Sequence, residues 1–322
     1  MKAIKREKYC ALNQLEVKEL AKPVAKENEV LVKVYATTIN RTDCSLIAGK
    51  PFIIRFFIGF LKPHLPITGT DFAGIIEAVG KKVSTFKVGD RVWGFDDQGL
   101  SSHAEYLTIK EDAAIAPIKN NLTYEEAVCG AEGAHYAYNC INKLNIKSGE
   151  KILINGATGA IGSAALQISK HLGLYVTAVG NTKNLEMLQA LGADKTIDYL
   201  SEDFTKNNEK YHYILDAVGK SSFSLCKPIM LPNAIYVSSE LGTKNENVYL
   251  SLLTKLKGNK RVVFPIPENC RRSVLYINAL IEQGAYKAVI DRSYKIEEIS
   301  EALKYVNAGE KTANVILRIC KA

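Results

Sequence analysis

A glycine-rich turn between an apolar run and a helical pattern constrains the fold of this chain most. Residues 151–155 are largely apolar, residues 156–162 read Gly-Ala-Thr-Gly-Ala-Ile-Gly, and a helical pattern then extends to Gly173. One face of that helix would carry apolar side chains at i, i+4, i+7 and i+11, namely Ile161, Ala165, Ile168 and Leu172. A strand, a tight glycine turn and a helix N-terminus predict a pyrophosphate site, because backbone N–H groups and the helix dipole favour negative charge.

The second predicted parallel strand, residues 174–179, ends without an acidic residue. The chain continues as Gly180-Asn181-Thr182-Lys183. In NAD-specific sites a carboxylate usually ends this strand and binds the ribose 2′-hydroxyl, and such a carboxylate would repel a 2′-phosphate. Small polar groups and a lysine would receive that phosphate, so the sequence favours NADP(H) over NAD(H). Asn181 and Thr182 also fit a plain helix cap, and the two interpretations are compatible.

The 322 residues are enough for two domains, and the patterns divide the chain accordingly. Residues 1–120 contain short strand patterns separated by glycine turns, which predict a partly open β-barrel. Residues 121–285 alternate strands with helical stretches, which predicts a doubly wound parallel sheet. Thr123 and Glu126 form a capping-box pattern, and we place the crossover there. We expect the last strand, within residues 286–322, to return to the first domain.

Composition argues against several classes of protein. Hydrophobic residues make up 47% and charged residues 24% of the chain, as in ordinary soluble globular proteins. The net charge of +8 is scattered among acidic residues, so we predict no nucleic-acid binding. The longest apolar run, residues 52–61, is too short to span a membrane and contains Arg55. The chain begins without the apolar segment of a signal peptide.

The seven cysteines are widely scattered and form no Cys-x-x-Cys pair. This spacing suggests neither a zinc knuckle nor a disulfide framework. Free thiols of this kind fit a reducing compartment, so we expect a cytoplasmic protein.

A series of short motifs follows a fixed order along nearly the whole chain. They are Ile39-Asn-Arg-Thr-Asp43, Gly69-Thr-Asp-Phe-Ala-Gly74, Phe86-Lys-Val-Gly-Asp-Arg-Val92, the turn 156–162, Leu191-Gly-Ala-Asp194 and Asp216-Ala-Val-Gly219. Their order and spacing resemble the medium-chain dehydrogenase/reductases, in the zinc-free branch with the NADPH:quinone oxidoreductases and enone reductases. The resemblance implies an α/β fold, with a GroES-like, partly open β-barrel catalytic domain (1–120 and 286–322). A Rossmann domain with a doubly wound parallel sheet (121–285) would bind NADP(H).

The resemblance also implies which residues bind the cofactor. The expected set is Asn40, Gly156, Ala157, Thr158, Gly159, Ala160, Ile161, Gly162, Asn181, Thr182, Lys183, Tyr199, Val218, Leu241 and Gly242. Residues 158–161 would meet the pyrophosphate, and residues 181–183 the 2′-phosphate. Tyr199 would lie at the phosphate or adenine end, and residues 241–242 near the nicotinamide. Asn40 is expected to orient the nicotinamide ribose or the substrate, with a plain turn residue as the alternative.

Two departures from the zinc alcohol dehydrogenases of this superfamily argue against a metal. Those enzymes carry a metal-binding Cys where this chain has Asn40, and Gly-His-Glu where it has Gly69-Thr70-Asp71. A catalytic zinc needs three protein ligands and an open position. Without zinc, nothing obvious polarises an alcohol, so we expect no zinc and no alcohol oxidation.

Quinones and α,β-unsaturated carbonyls need less help, because the charge that a hydride brings is spread over several atoms. The protein then mainly holds cofactor and acceptor in register. We therefore expect a reductase of a small hydrophobic electron acceptor, with residues 52–61 offering it an apolar surface. The resemblance also implies a homodimer, because residues 261–264 stand where these proteins extend their sheets across a two-fold axis. A membrane-surface patch is the rival interpretation of that segment. Two other functions stay open, an alcohol or carbonyl dehydrogenase of the same superfamily and a nonenzymatic NADPH-binding protein.

Overall fold

The computed structural model describes residues 1–256, 259–266 and 269–321, with Leu256 described by its backbone alone. The described strands are β1 (Lys2–Lys5), β2 (Glu16–Glu19), β3 (Glu29–Ile39), β4 (Asp71–Val79), β5 (Arg91–Phe95), β6 (Tyr106–Lys110), β7 (Ile115–Pro117), β8 (Lys151–Asn155), β9 (Tyr175–Gly180), β10 (Lys195–Asp198), β11 (Tyr211–Asp216), β12 (Met230–Ser238), β13 (Arg261–Val263), β14 (Ile290–Lys295) and β15 (Asn314–Arg318). The described α-helices are α1 (Arg41–Ala48), α2 (Arg55–Ile58), α3 (Tyr124–Val128), α4 (Glu132–Ile141), α5 (Ala160–His171), α6 (Leu185–Ala190), α7 (Phe223–Cys226), α8 (Glu246–Leu256), α9 (Cys270–Glu282) and α10 (Ile299–Ala308).

The chain divides into two compact units. The first comprises Met1–Glu132, Asn269–Glu282 and Ala288–Ala322, and the second comprises Gly133–Glu268 and Gln283–Lys287. Compared with the sequence-based boundaries at 120 and 286, the first unit also contains α3 and α9. The division into a catalytic and a cofactor domain at those boundaries stays a prediction.

The predicted capping box is confirmed, but the two units divide after Glu132 and not at this helix start. Glu126 N donates to Thr123 Oγ1 at 3.1 Å, and Thr123 N donates to Glu126 Oε2 at 2.8 Å. The helix that it starts, α3, packs on the first unit because Tyr124 stacks on Tyr35 with ring centroids 4.5 Å apart. The Arg91 guanidinium covers the Tyr124 ring at 4.6 Å. These contacts explain why α3 belongs to the first unit.

The first unit is built on a mixed sheet with the order β14-β15-β3-β4-β5-β7, and β6 also pairs with β3. The apolar side chains of its core include Val32, Phe72, Ile76 and Leu107, all buried. The predicted return of the last strand is confirmed, because Val315 pairs with Ile39 in an antiparallel ladder between β15 and β3. This pairing brings the residues that precede β15 beside the end of β3.

The second unit contains a parallel sheet with the order β10-β9-β8-β11-β12-β13. The chain runs outward from β8 through β9 to β10, and then returns to the other side of β8 for β11 to β13. The strand order therefore reverses between β8 and β11. In such sheets, ligands bind beyond the carboxyl ends of the strands at the reversal. The predicted α/β fold with a GroES-like unit and a Rossmann unit is confirmed.

The apolar segment 52–61 forms a short 3₁₀ helix followed by α2. Phe52, Phe56 and Phe60 make a cluster of rings with centroids 5.3 to 6.1 Å apart, and all three side chains are exposed. Arg55 anchors the segment, because its guanidinium lies over the Tyr9 ring, 4.2 Å from the ring centroid. Across the described residues, every helix falls short of the length and apolar character that crossing a membrane requires.

Candidate active site

The glycine turn of the second unit has the geometry of a phosphate-binding turn. β8 ends at Asn155, Gly156 adopts a φ of +76°, and α5 begins at Ala160 after Gly159 as its N-cap. The positive φ lets the chain reverse directly from strand to helix. The first N–H groups of an α-helix have no partner within the helix and point along its axis. Residues 158–161 are partly exposed at this helix start, where the sequence predicts the pyrophosphate.

The glycines of the turn do two different jobs. A Cβ on Gly162 would come within 2.1 Å of Gly156 O, so Gly162 allows α5 to pack against the turn. A Cβ on Gly159 would meet nothing closer than the same oxygen at 3.5 Å. Gly159 therefore leaves an open face at the start of α5. Contact of this open face with the pyrophosphate of a dinucleotide stays a prediction.

Side chains beyond β11 and β12 complete this edge of the sheet. A Cβ on Gly156 would lie 2.8 Å from Val218 Cβ, so Val218 forms a wall of the turn. The Asp216 carboxylate holds that wall, accepting hydrogen bonds from Asn155 Nδ2 at 3.0 Å and Gly219 N at 3.0 Å. Leu241 and Gly242 follow β12, with the Leu241 side chain 45% exposed. Their contact with nicotinamide stays a prediction.

The end of β9 carries the residues predicted to bind the adenosine ribose. Lys183 is exposed, whereas the Thr182 hydroxyl donates to Asp198 Oδ2 at 2.5 Å. The sequence interpretation missed this carboxylate, because Asp198 ends the next strand and not the one that usually carries the acid. Its other oxygen accepts from Leu200 N at 3.0 Å, so both oxygens are engaged. Tyr199, whose side chain is half-exposed, follows directly.

In the first unit, a chain of hydrogen bonds runs from a buried carboxylate to a lysine. Asp71 accepts from Thr38 N at 2.7 Å, and from the Thr37 and Thr38 hydroxyls. Thr38 Oγ1 in turn accepts from Asn40 Nδ2 at 2.6 Å. Asn40 Oδ1 then accepts from Lys311 Nζ at 3.4 Å. The direction of every donor in this chain is fixed by the charged groups at its two ends.

This chain decides which way the Asn40 amide points. A flipped Asn40 amide would place its NH₂ group against the Lys311 ammonium, so that two donors would face each other. It would also place its oxygen against the Thr38 oxygen, whose proton is already donated to Asp71. The Asn40 backbone N–H also donates to Asp43 Oδ2 at 2.8 Å at the start of α1. Asn40 is therefore a rigid, buried and oriented group, and its amide oxygen faces the ammonium.

Acidic side chains surround this chain. Burial raises the pKa of Asp71 to about 6, against the hydrogen bonds from Thr38 and Thr37. Burial also raises the pKa of Asp43 well above its usual range, and the neighbouring Glu132 adds to the shift. The Glu132 pKa is raised by burial to about 7. Burial therefore favours the neutral form of each of these carboxyl groups.

The residues at the zinc position of the alcohol dehydrogenases do not fit a zinc ion. The Asn40 oxygen already accepts from Lys311, and the Thr70 hydroxyl donates to Glu132 Oε2 at 3.1 Å. The nearby Cys129 thiol is buried, which raises its pKa and disfavours the thiolate that zinc requires. The ammonium of Lys311 would also repel a divalent cation.

Comparison with known proteins identifies the family. Residues 26–143 match the family model described as the alcohol dehydrogenase GroES-like domain, and residues 191–317 match the one described as zinc-binding dehydrogenase. The chain is 30% identical, over 98% of its length and 79% of the relative, to 2-methylene-furan-3-one reductase of Solanum lycopersicum. The chain belongs to the medium-chain dehydrogenase/reductase superfamily. It is an oxidoreductase in the branch of the quinone and enone reductases.

A second relative agrees with this branch of the superfamily, and a solved structure agrees with the fold. The chain is 27% identical, over 92% of its length and 73% of the relative, to the chloroplastic NADPH-dependent alkenal/one oxidoreductase of Arabidopsis thaliana. Its fold matches that of a quinone oxidoreductase from Coxiella burnetii with a TM-score of 0.86, covering 99% of both chains at 22% identity. The words zinc-binding describe the family model. The side chains around Asn40 in this chain are not the ligands that a zinc ion requires.

The structure arranges the predicted site residues of this family member in separate groups. Residues 156–162 and Val218 share one edge of the second unit, and residues 181–183 with Tyr199 lie at the ends of the neighbouring strands β9 and β10. Asn40 lies in the first unit, beside Glu132 and Lys311, which the sequence interpretation did not single out. In the sequence, the only indication of these two residues is a single lysine shortly before the last strand, and that lysine is not part of a motif.

The two glycines predict different outcomes on substitution. Gly162→Ala should lower the midpoint of thermal unfolding and abolish NADPH binding, because its Cβ would lie 2.1 Å from a carbonyl oxygen. Gly159→Val should leave thermal unfolding unchanged but weaken NADPH binding by about tenfold or more, ~1.4 kcal/mol, because it fills the open face. Fluorescence titration with NADPH and a thermal melt measure both. Wild-type affinity in a folded Gly159→Val variant would show that the phosphate binds elsewhere.

Proposed function

We propose that this chain is a zinc-independent, NADPH-dependent reductase that transfers hydride to quinones or α,β-unsaturated carbonyls. The observation that carries the proposal is the Asn40–Lys311 pair, where metal-dependent relatives would hold zinc. A neutral donor and an ammonium can stabilise an oxyanion that forms on an acceptor. They lack the charge of a divalent cation, which alcohol oxidation uses to stabilise an alkoxide.

NADPH is the proposed cofactor, and it supplies the hydride when bound. Residues 158–161 would hold its pyrophosphate with backbone N–H groups at the start of α5. Lys183 and Asn181 would receive the 2′-phosphate, with Tyr199 beside them. Asp198 opposes a phosphate, but Thr182 and the Leu200 N–H already share its charge. The similarity to a relative named for its NADPH dependence supports this choice.

We propose that residues of the first unit contact the acceptor. Asn40 is proposed to orient the acceptor or the nicotinamide ribose, because its amide is locked by Thr38 and Lys311. The exposed rings of Phe52, Phe56 and Phe60 would give an apolar acceptor a surface of contact. Such a preference agrees with relatives that are named for quinones and enones.

The first test is an acceptor panel with NADPH. We expect rapid NADPH oxidation with an ortho-quinone, a para-quinone or a medium-chain enone, and little or none with a simple aldehyde. Activated acceptors need only positioning and oxyanion stabilisation. Turnover restricted to the aldehyde would favour the carbonyl dehydrogenase alternative. Tight NADPH binding without turnover of any acceptor would favour a nonenzymatic NADPH-binding protein.

Lys183→Ala should separate NADPH from NADH. Because a charged hydrogen bond contributes about 1.5–3 kcal/mol, we expect the KM for NADPH to rise by roughly ten- to a hundredfold, with the KM for NADH nearly constant. Lys255→Ala, a change at another exposed lysine of the same unit, is the charge-matched control. Equal changes in the two KM values of Lys183→Ala would contradict the assignment of the 2′-phosphate.

We also propose a homodimer that extends the parallel sheet. β13 forms the edge of that sheet among the described strands, and Arg261 on it is exposed. An edge strand offers unpaired backbone groups to a second copy. Light scattering at micromolar concentration should give the mass of two chains, and the mass of one chain would remove the proposal. A cytoplasmic location stays a prediction, which fractionation of cells can check.

A further inference from the structure

Lys311 is held at a defined place in the first unit. It lies between α10 and β15, and its Nζ donates to Ala313 O at 2.6 Å and to Asn40 Oδ1 at 3.4 Å. Ala313 adopts a φ of +46°, in the region that favours glycine, and this turn directs its carbonyl back to the ammonium. An ammonium has three donors, so these two acceptors leave one N–H for a ligand. Lys311 is largely buried but keeps some exposed surface.

We propose that Lys311 is the catalytic proton donor, which gives its proton to the acceptor oxygen as hydride is added. The inference rests on the proposed function and deepens it, since the resemblance to reductases assigned no proton donor. Asn40 is then the positioning residue that aims the ammonium. The chain through Thr38 to the Asp71 carboxylate holds Asn40 in turn.

The step balances for both acceptor classes. On an enone, the hydride forms a C–H bond at the β-carbon, and the electron pair of the C=C bond shifts to the carbonyl oxygen. An N–H bond of Lys311 breaks as the O–H bond of the enol forms. The enol becomes the saturated ketone in water, and the neutral amine regains a proton from solvent. On a quinone, the hydride forms the O–H bond of one hydroxyl, and the N–H bond of Lys311 breaks as its proton completes the other hydroxyl of the hydroquinone.

The surroundings suit a lysine for this task. Burial lowers the pKa of Lys311 from its usual value, which makes the ammonium a better acid near neutral pH. Four groups on other elements act against this shift by favouring the charged form, namely Glu132, Asp291, Cys129 and Asp43. Asp291 is itself held in place, because it accepts from Thr312 N at 2.8 Å. The Lys311 side chain therefore stays charged, but its ammonium can give up a proton.

The test compares Lys311→Ala, Lys311→Arg and the control Lys304→Met, an exposed lysine on α10. For enone reduction we expect Lys311→Ala to lower kcat by about a hundredfold, with the NADPH dissociation constant within about twofold of wild type by fluorescence. Methylamine added to Lys311→Ala should restore part of kcat, because it replaces the missing acid. The wild-type kcat should fall as pH rises through the Lys311 pKa, and Lys311→Ala should lack that fall.

Lys311→Arg keeps the charge but has a far higher pKa, so it should bind NADPH normally and still turn over slowly. This variant decides the question if Lys311→Ala does not fold. A kcat near that of wild type in either variant, or an unchanged pH profile, would overturn the assignment of Lys311. So would a loss in Lys311→Ala that no amine restores. An inert wild-type enzyme that binds NADPH would overturn the proposed function as well, so the two failures are distinguishable.

Discussion

The buried carboxylate of Asp71 is the group on which the polar centre of the first unit depends. A charge inside a protein is costly unless hydrogen bonds compensate for it, and Asp71 is fully buried. Thr37 and Thr38 satisfy its oxygens from the end of β3. Because the Thr38 proton goes to Asp71, the Thr38 oxygen must accept from Asn40, whose own oxygen then faces Lys311. One carboxylate thus orients three side chains in sequence.

In the proposed function, this arrangement supplies a single positive charge where the zinc enzymes of the superfamily hold a metal. A zinc ion polarises its substrate directly, with ligands that must be deprotonated. Here an amide and a hydroxyl, those of Asn40 and Thr70, stand at the corresponding positions, and the nearby positive charge is that of Lys311. An ammonium stabilises an oxyanion less than a divalent cation does, but it can also donate a proton. Weaker oxyanion stabilisation combined with proton donation suits acceptors that are already electrophilic.

Local patterns made the second unit predictable from sequence, and long-range pairing made the first unit's polar centre unpredictable. The glycine turn 156–162 joins a strand and a helix that are adjacent in the chain. The glycines of the turn and the apolar period of the helix are therefore enough to predict this part of the fold. By contrast, Asn40 and Lys311 meet only because β15 pairs with β3, and Glu132 joins them through a contact with Thr70 that is equally distant in the chain. The Thr182–Asp198 contact was missed for the same reason, since it joins the ends of two neighbouring strands.

The most direct test of this account is the zinc content of the purified protein, measured by mass spectrometry and plotted against specific activity for several preparations. The account predicts full NADPH-dependent enone reduction at a zinc content near zero, with no correlation between the two quantities. It predicts the same activity after zinc is added back. Activity that rises in proportion to bound zinc would contradict it.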